Sequence, residues 1–485
     1  MTTDFPFFHK NLISALILAI LIPFCIGAQH KLPISRIDSV FNDVNKSGSP
    51  GCALLIIQND EVVYSRGYGY ANLDYEIPID SGSVMYLGSV TKQFVAAAIL
   101  EASLQGYLTL DDDIRKWIPE FPEYSNVISV RHLIHHTSGI RDELQLRAVA
   151  NLPEDITRKE IIELLVRQKK LNFEPGEQEL YSNGGYLLLI EILERATGMT
   201  MQAYLRQEFF KPLGMNSAGF GPYQGAIPQS SYGFVSVKDN FIRKAHVGNA
   251  PGVRMNISDL GRWMVALEGD NLSYKGFKDL QLQRGILNNG DTTDYAFGLN
   301  VLKQGGLPLI SHGGAGMGYR TAMGIYPENN LSICTMCNLS SLDAVQLNRG
   351  VSEILLEEEL GPDEDAASYE KYRKPWPAPE GEPVKLSKEE LTEFTGNYYA
   401  PELNVIFKVE IEADFLKVGP EGWMRPMLAT SKSDQFNSSR AWAQINFIRN
   451  EKGVITGFTM NIGRVNGLIM ERISHSDYSN IDKYK

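Results

Sequence analysis

Two apolar runs, residues 51–58 and 61–70, flank Asn59-Asp60 and predict a β-hairpin. From Ser89 the spacing becomes helical: Phe94, Ala97, Ala98 and Glu101 keep a 3.6-residue period until Gly106, a natural stop. Residues 130–280 read as helices and loops punctuated by glycine and proline. Strand character returns at 295–338 in about three apolar runs separated by Gly-rich or Asn-rich turns. Residues 345–360 then predict an amphipathic helix. Strands at both ends with helices between them imply one α/β (α+β) domain over 29–360, its terminal strands joined in a single antiparallel sheet.

The pattern breaks at 361–386. Pro362, Pro375, Pro377, Pro379 and Pro383 stand there among acidic residues, the composition of a stiff linker. Beyond it, 405–418, 442–449, 454–460 and 467–473 alternate apolar and polar positions between glycine turns. Such spacing predicts a small antiparallel β-barrel or sandwich over 387–474, followed by a polar tail at 475–485. At the other end, 12–22 is apolar apart from Ser14, with Lys10 before it and Pro23, Gly27 and Ala28 after it. That run is too short to span a bilayer and fits a signal peptide over 1–28. Export to the periplasm or the medium is expected, with no stable membrane span after cleavage; a retained anchor is the alternative.

Composition narrows the partners. Among 485 residues, 46 are lysine or arginine and 58 aspartate or glutamate, a net charge of −12. So acidic a chain lacks the positive field that draws in nucleic acid. Past the leader only Cys52, Cys334 and Cys337 remain, too few for a disulfide scaffold. Cys334-Thr-Met-Cys337 has the spacing of half a zinc or redox motif, but its apolar surroundings read as a buried strand. Residues three apart on a strand point to opposite faces, and no second cysteine pair completes a site. Neither a metal nor a cofactor is expected, and the sequence fixes no oligomeric state.

Three short motifs carry chemistry. Ser89-Val-Thr-Lys92 places a hydroxyl and an amine on one helical face at a helix start, where free N–H groups can bind an oxyanion. Ser368-Tyr-Glu-Lys371 matches as well, but lies in the linker. Tyr181-Ser-Asn183 offers a phenolic base and an amide. Similar Tyr-x-Asn triplets start at Tyr70, Tyr124 and Tyr478, yet Tyr181 alone lies between a Pro175-Gly176 turn and a helix over 185–196. His312-Gly-Gly314 follows a short apolar run, a strand edge where glycine lets a ligand approach the backbone. His132, His135 and His136 have the spacing of a metal cluster, although their segment reads as structural.

In this order, Ser-x-x-Lys, Tyr-x-Asn and His-x-Gly resemble the motifs of the serine β-lactamase and penicillin-binding protein superfamily. The Tyr-x-Asn form resembles its class C, DD-peptidase and esterase-like branch. Further matches are Gly67-Tyr-Gly69, residues 133–140, Phe173-Glu-Pro-Gly176, Pro212-Leu-Gly-Met215 and Tyr326-Pro327. Residues 387–474 resemble the barrel appended to many exported members, with Thr395-Gly-Asn-Tyr398 at its first strand.

The resemblance implies a β-lactamase-like fold and an acyl-enzyme on Ser89, with Lys92 and Tyr181 sharing the proton transfers. Asn183 would hold a substrate amide, and His312, Gly314 and Ala315 would line the substrate, the N–H groups of Ser89 and Ala315 forming the oxyanion hole. A free phenol ionises near pH 10, so serving as a base at pH 7 needs about 4 kcal/mol of help. One cation about 4 Å away supplies that at an effective dielectric near 20, so Lys92 suffices. Lysine stands at the His312 position in β-lactamases; histidine there implies carboxylate recognition that strengthens as the imidazole charges, near its ordinary value of about 6.5. The implied substrates are small amides, D-amino-acid or cell-wall peptides, or esters. The alternatives are a penicillin-binding or sensor-like protein with little turnover, and a class C-like β-lactamase.

Overall fold

Asn59 and Asp60 both adopt left-handed backbone, at φ 53° and 64°, and turn strand β1 (Cys52–Gln58) back along β2 (Glu61–Tyr68). This is the hairpin that the sequence predicts. The computed structural model describes residues 32–153, 156–221, 227–238, 240–243, 251–362, 384–438 and 443–474. The expected signal peptide at 1–28, most of the expected linker with Ser368 and Lys371, and the expected polar tail at 475–485 lie outside the described residues.

Four more strands come late in the chain: β3 (Asn300–Gln304), β4 (Leu307–Gly316), β5 (Tyr319–Tyr326) and β6 (Leu331–Cys337). The antiparallel sheet has the order β3-β4-β5-β6-β1-β2, so the two ends of the domain meet where β6 pairs with β1. Strand β1 is buried on both faces. Ala53, Leu55 and Ile57 enter one core, while Leu54 and Ile56 enter another beneath an outer pair of helices, Ile34–Ser39 and Ala344–Leu355. Cys334 and Cys337 do fall on opposite faces. Cys337, however, is bonded to Cys52, directly opposite it on β1, across 285 residues of sequence. The reading of both as plain core residues therefore holds only for Cys334.

The central helix α1 (Thr91–Leu104) lies against the inner face and is buried almost throughout, which is why its sequence is apolar on nearly every side. Two further helices frame the site: α2 (Glu143–Val149) and α3 (Asn183–Thr197). Serine at the N-cap and left-handed Gly198 at the C-cap delimit α3.

Residues 396–473 form a closed barrel of eight antiparallel strands, β7 (Gly396–Ala400) to β14 (Val465–Ile473), closed by β7 pairing with β14. Its interior is packed with aromatic rings, among them Phe394, Tyr398, Phe436, Phe447 and Phe458. The turn between β13 (Ile455–Ile462) and β14 presses against α2. Gly463 packs against the end of the Gln145 side chain, and its left-handed backbone, at φ 52°, favours glycine there. Among the described residues, no helix is long and apolar enough to cross a membrane.

Candidate active site

Ser89 sits in a single 3-10 turn, Gly88–Val90, that runs straight into α1. Lys92, 6% exposed, follows one turn later on the same face, with Nζ 3.4 Å from Ser89 Oγ. The ammonium donates to Asn183 Oδ1 at 2.8 Å and lies 4.6 Å and 5.4 Å from the ring centres of Tyr181 and Tyr186. The Tyr181 hydroxyl is buried beside it without a hydrogen-bond partner. Four residues from two stretches of sequence thus converge: Ser89, Lys92, Tyr181 and Asn183.

Local chemistry fixes the tyrosine. Ser182 caps α3 by accepting from the Gly185 N–H at 3.1 Å, and its own N–H donates to His136 Nδ1 at 3.1 Å. The His136 ring packs 4.2 Å from that of Tyr181. Burial, and then the charge on Lys92, hold His136 well below its ordinary value, so it is neutral and acts as an acceptor. The other two histidines have separate tasks: His132 closes the capping box of a short helix and His135 Nδ1 meets the Tyr295 carbonyl at 3.2 Å.

Strand β4 passes the nucleophile turn edge-on. A Cβ on Gly314 would lie 2.0 Å from the Leu87 carbonyl oxygen, so glycine is required for the strand to come this close. Ala315 lies against Gly88 and lines the cavity in front of Ser89. His312 is placed differently from the expectation. It is 5% exposed, its Nε2 meets the Tyr295 hydroxyl at 3.0 Å, and its Nδ1 meets the Gly313 carbonyl at 2.6 Å. These contacts suit a neutral ring, donating at Nδ1 and accepting at Nε2. Burial first, and Lys92 second, push its pKa down to about 4, so the charging window moves well below 6.5. The His312 ring signal should therefore stay flat in a proton NMR titration from pH 5 to 8. A midpoint near 6.5 would restore the original window.

The structure adds three residues that the motifs do not contain. Asp142, fully buried, accepts from the Asn183 backbone and side-chain N–H groups, both at 2.9 Å. Arg464, from the β13–β14 turn of the barrel, donates to the same carboxylate at 3.0 Å and stands 5.6 Å from the Tyr181 ring centre. Glu143, 3% exposed, lines the cavity with one carboxyl oxygen unpartnered. Burial and the neighbouring Asp142 push its pKa up to about 8. The run Arg141-Asp142-Glu143 directly behind an apolar segment is a signal that could have been read, since buried charges need partners. Nothing local marks Arg464.

The cavity above Ser89 measures about 370 Å³. Its apolar wall includes Leu144, Ile156, Ile161, Leu187 and Ile190, and its polar lining includes Lys92, Tyr181, Glu143 and Arg464. A family model described as Beta-lactamase matches residues 37–355. The chain is 28% identical over 327 residues to penicillin-binding protein 4* of Bacillus subtilis (strain 168), covering 62% of this chain and 71% of that protein. It is 28% identical over 298 residues to a D-aminopeptidase of Brucella anthropi, covering 60% of this chain but only 56% of the relative. Among solved structures, the octameric penicillin-binding protein homologue from Pyrococcus abyssi superposes with a TM-score of 0.59 at 21% identity, over 90% of this chain and 98% of that one. The D-amino acid amidase from Ochrobactrum anthropi SV3 gives 0.57 at 22% identity, over 67% of this chain and 98% of that one. Both likenesses are of fold.

Proposed function

The chain belongs to the β-lactamase family, and from that premise we propose that it is an exported serine hydrolase acting through an acyl-enzyme on Ser89. The observation that carries this reading is the buried Lys92 ammonium, set between Ser89 Oγ and Asn183 Oδ1 beside the unpartnered Tyr181 hydroxyl. In its free-base form Lys92, with Tyr181, takes the Ser89 proton as Oγ attacks the substrate carbonyl. The N–H groups of Ser89 and Ala315 stabilise the oxyanion. The proton then passes to the leaving amine or alcohol as the carbonyl–heteroatom bond breaks, and water releases the acid by the reverse transfers. The Cys52–Cys337 disulfide supports export, because such bonds persist in oxidising compartments.

The substrate class follows from the cavity. An orphaned buried carboxyl is costly unless a ligand completes it, and Glu143 faces a cavity that pairs an aliphatic wall, Leu144, Ile156, Ile161, Leu187 and Ile190, with the polar groups of Lys92, Tyr181 and Arg464. A free α-ammonium beside an apolar side chain meets both needs. The substrates are therefore amides, short peptides or esters of apolar amino acids with a free amine. The likeness to a D-aminopeptidase favours the D series. A true β-lactamase is disfavoured, since His312 brings no charge to hold a substrate carboxylate at neutral pH.

Assays of purified protein on D-alanine and D-leucine p-nitroanilides, free and N-acetylated, test this. Hydrolysis of the free amines in preference to the acetylated ones is expected. Because a bound ammonium draws off the Glu143 proton that burial otherwise retains, Glu143→Gln should raise KM for the free amines roughly 10- to 100-fold, as loss of a charge-assisted hydrogen bond does, and leave the acetylated compounds unchanged. Equal effects on both series would show that Glu143 does not read the amine.

A further inference from the structure

We propose that Arg464 of the barrel is a positioning residue for the Ser89 site, so that the constellation is complete only when the barrel is docked. This deepens the hydrolase reading and rests on it. The hydrogen bonds form one continuous line from barrel to nucleophile. Arg464 Nη2 meets Asp142 Oδ1 at 3.0 Å, Asp142 Oδ2 receives Asn183 Nδ2 at 2.9 Å, Asn183 Oδ1 receives Lys92 Nζ at 2.8 Å, and Lys92 Nζ lies 3.4 Å from Ser89 Oγ.

Charge bookkeeping explains why the line needs its far end. Asp142 is fully buried, and its other hydrogen bonds come from neutral donors, Asn183 and the Gln145 N–H. Its sequence neighbour Glu143 is acidic and offers no relief. Arg464 is the cation in contact with this carboxylate among the described residues. Without it, the hydrogen-bonded line from Asp142 leads to a positive charge only through the Asn183 amide, at Lys92. An uncompensated carboxylate there holds the Lys92 proton more tightly and competes with Ser89 for the amine. The other groups facing Lys92 do not substitute: Tyr181, Tyr186, His136 and His312 carry no permanent charge, and Glu143 is acidic. Loss of the guanidinium also removes a cation from beside the Tyr181 ring, which acts in the same direction.

The test compares wild type with Arg464→Gln, Arg464→Lys and the double variant Arg464→Gln/Asp142→Asn, using p-nitrophenyl acetate as a neutral probe and benzylpenicillin as a carboxylate-bearing one. With Arg464→Gln, kcat/KM for the neutral ester should fall about 10- to 100-fold. The acidic limb of its pH profile should move up by about one pH unit. Arg464→Lys should keep most of the rate and the wild-type limb. Asp142→Asn in the Gln background should bring the limb back, because the uncompensated charge is gone. A loss confined to benzylpenicillin, with the ester profile unmoved, would make Arg464 a substrate-carboxylate contact and overturn the proposal. A uniform loss with an unshifted limb, tracking a lower unfolding temperature, would reduce it to a structural role and also overturn it. Should wild type turn over neither these probes nor the D-amino-acid p-nitroanilides in a Ser89-dependent way, the hydrolase reading fails by itself. The Arg464 link is then judged by carbon-13 NMR titration of reductively methylated Lys92: a midpoint raised in Arg464→Gln supports it, and an unchanged one overturns it.

Discussion

Ser89→Ala is expected to abolish covalent labelling by a fluorophosphonate and to lower ester and amide turnover by at least about 10³-fold, some 4 kcal/mol of transition-state stabilisation. The loss is large because an acyl-enzyme pathway has no residual route once its nucleophile is gone. Ser368→Ala supplies the control. Its Ser-x-x-Lys is as good a match in sequence, but no Tyr-x-Asn or His-x-Gly partner set is assigned to it, and labelling should be intact. Intact-protein mass spectrometry reads both variants directly. An adduct that survives in Ser89→Ala would remove the serine from the mechanism, and with it the roles given to Lys92 and Tyr181.

What could be read from sequence were features whose cause is local. Asn59-Asp60 announces its hairpin because those two side chains tolerate left-handed backbone, and both residues adopt it. Lys92 falls under Ser89 because three helical residues bring it there. Gly106, at φ 81°, ends the region of α1 for the same kind of reason. The barrel was legible as alternation but not strand by strand: Arg425–Ala429 and Gln435–Ser438 are short and weakly patterned. What stayed hidden depends on contacts between distant residues. The pairing of β6 with β1 joins segments nearly 300 residues apart, so no spacing revealed that Cys337 would face Cys52. Ser89, Lys92, Tyr181 and Asn183 meet as the motifs suggest, whereas His312 turned inward because Tyr295 claims its Nε2. Asp142 and Arg464 are 322 residues apart and acquire meaning only from each other.

Glu402→Ala should be among the most destabilising substitutions in the chain, costing about 3–5 kcal/mol. Arg141 is completely buried between the two domains. Its Nη1 donates to Glu402 Oε1 at 2.9 Å and to Gln168 Oε1 at 3.0 Å, while Nε and Nη2 donate to the Asn466 carbonyl at 3.0 and 2.6 Å. Glu402 also accepts from the Lys169 N–H at 2.6 Å. Alanine at 402 leaves a buried guanidinium with neutral acceptors only, and the barrel must either stay docked over that charge or come away. Removing both charges is a different matter. Arg141→Met with Glu402→Leu exchanges the pair for apolar volume and should recover most of the loss, as buried ion pairs often contribute little net stability. Deleting 387–485 differs again, because it opens the interface to water and lets Arg141 solvate. That truncated chain should stay folded by circular dichroism but lose activity along with Arg464. Denaturant unfolding of the full-length variants decides the matter: a cost below about 1 kcal/mol for Glu402→Ala would mean that the pair behaves like a solvated surface bridge and that the barrel is held by its apolar contacts instead.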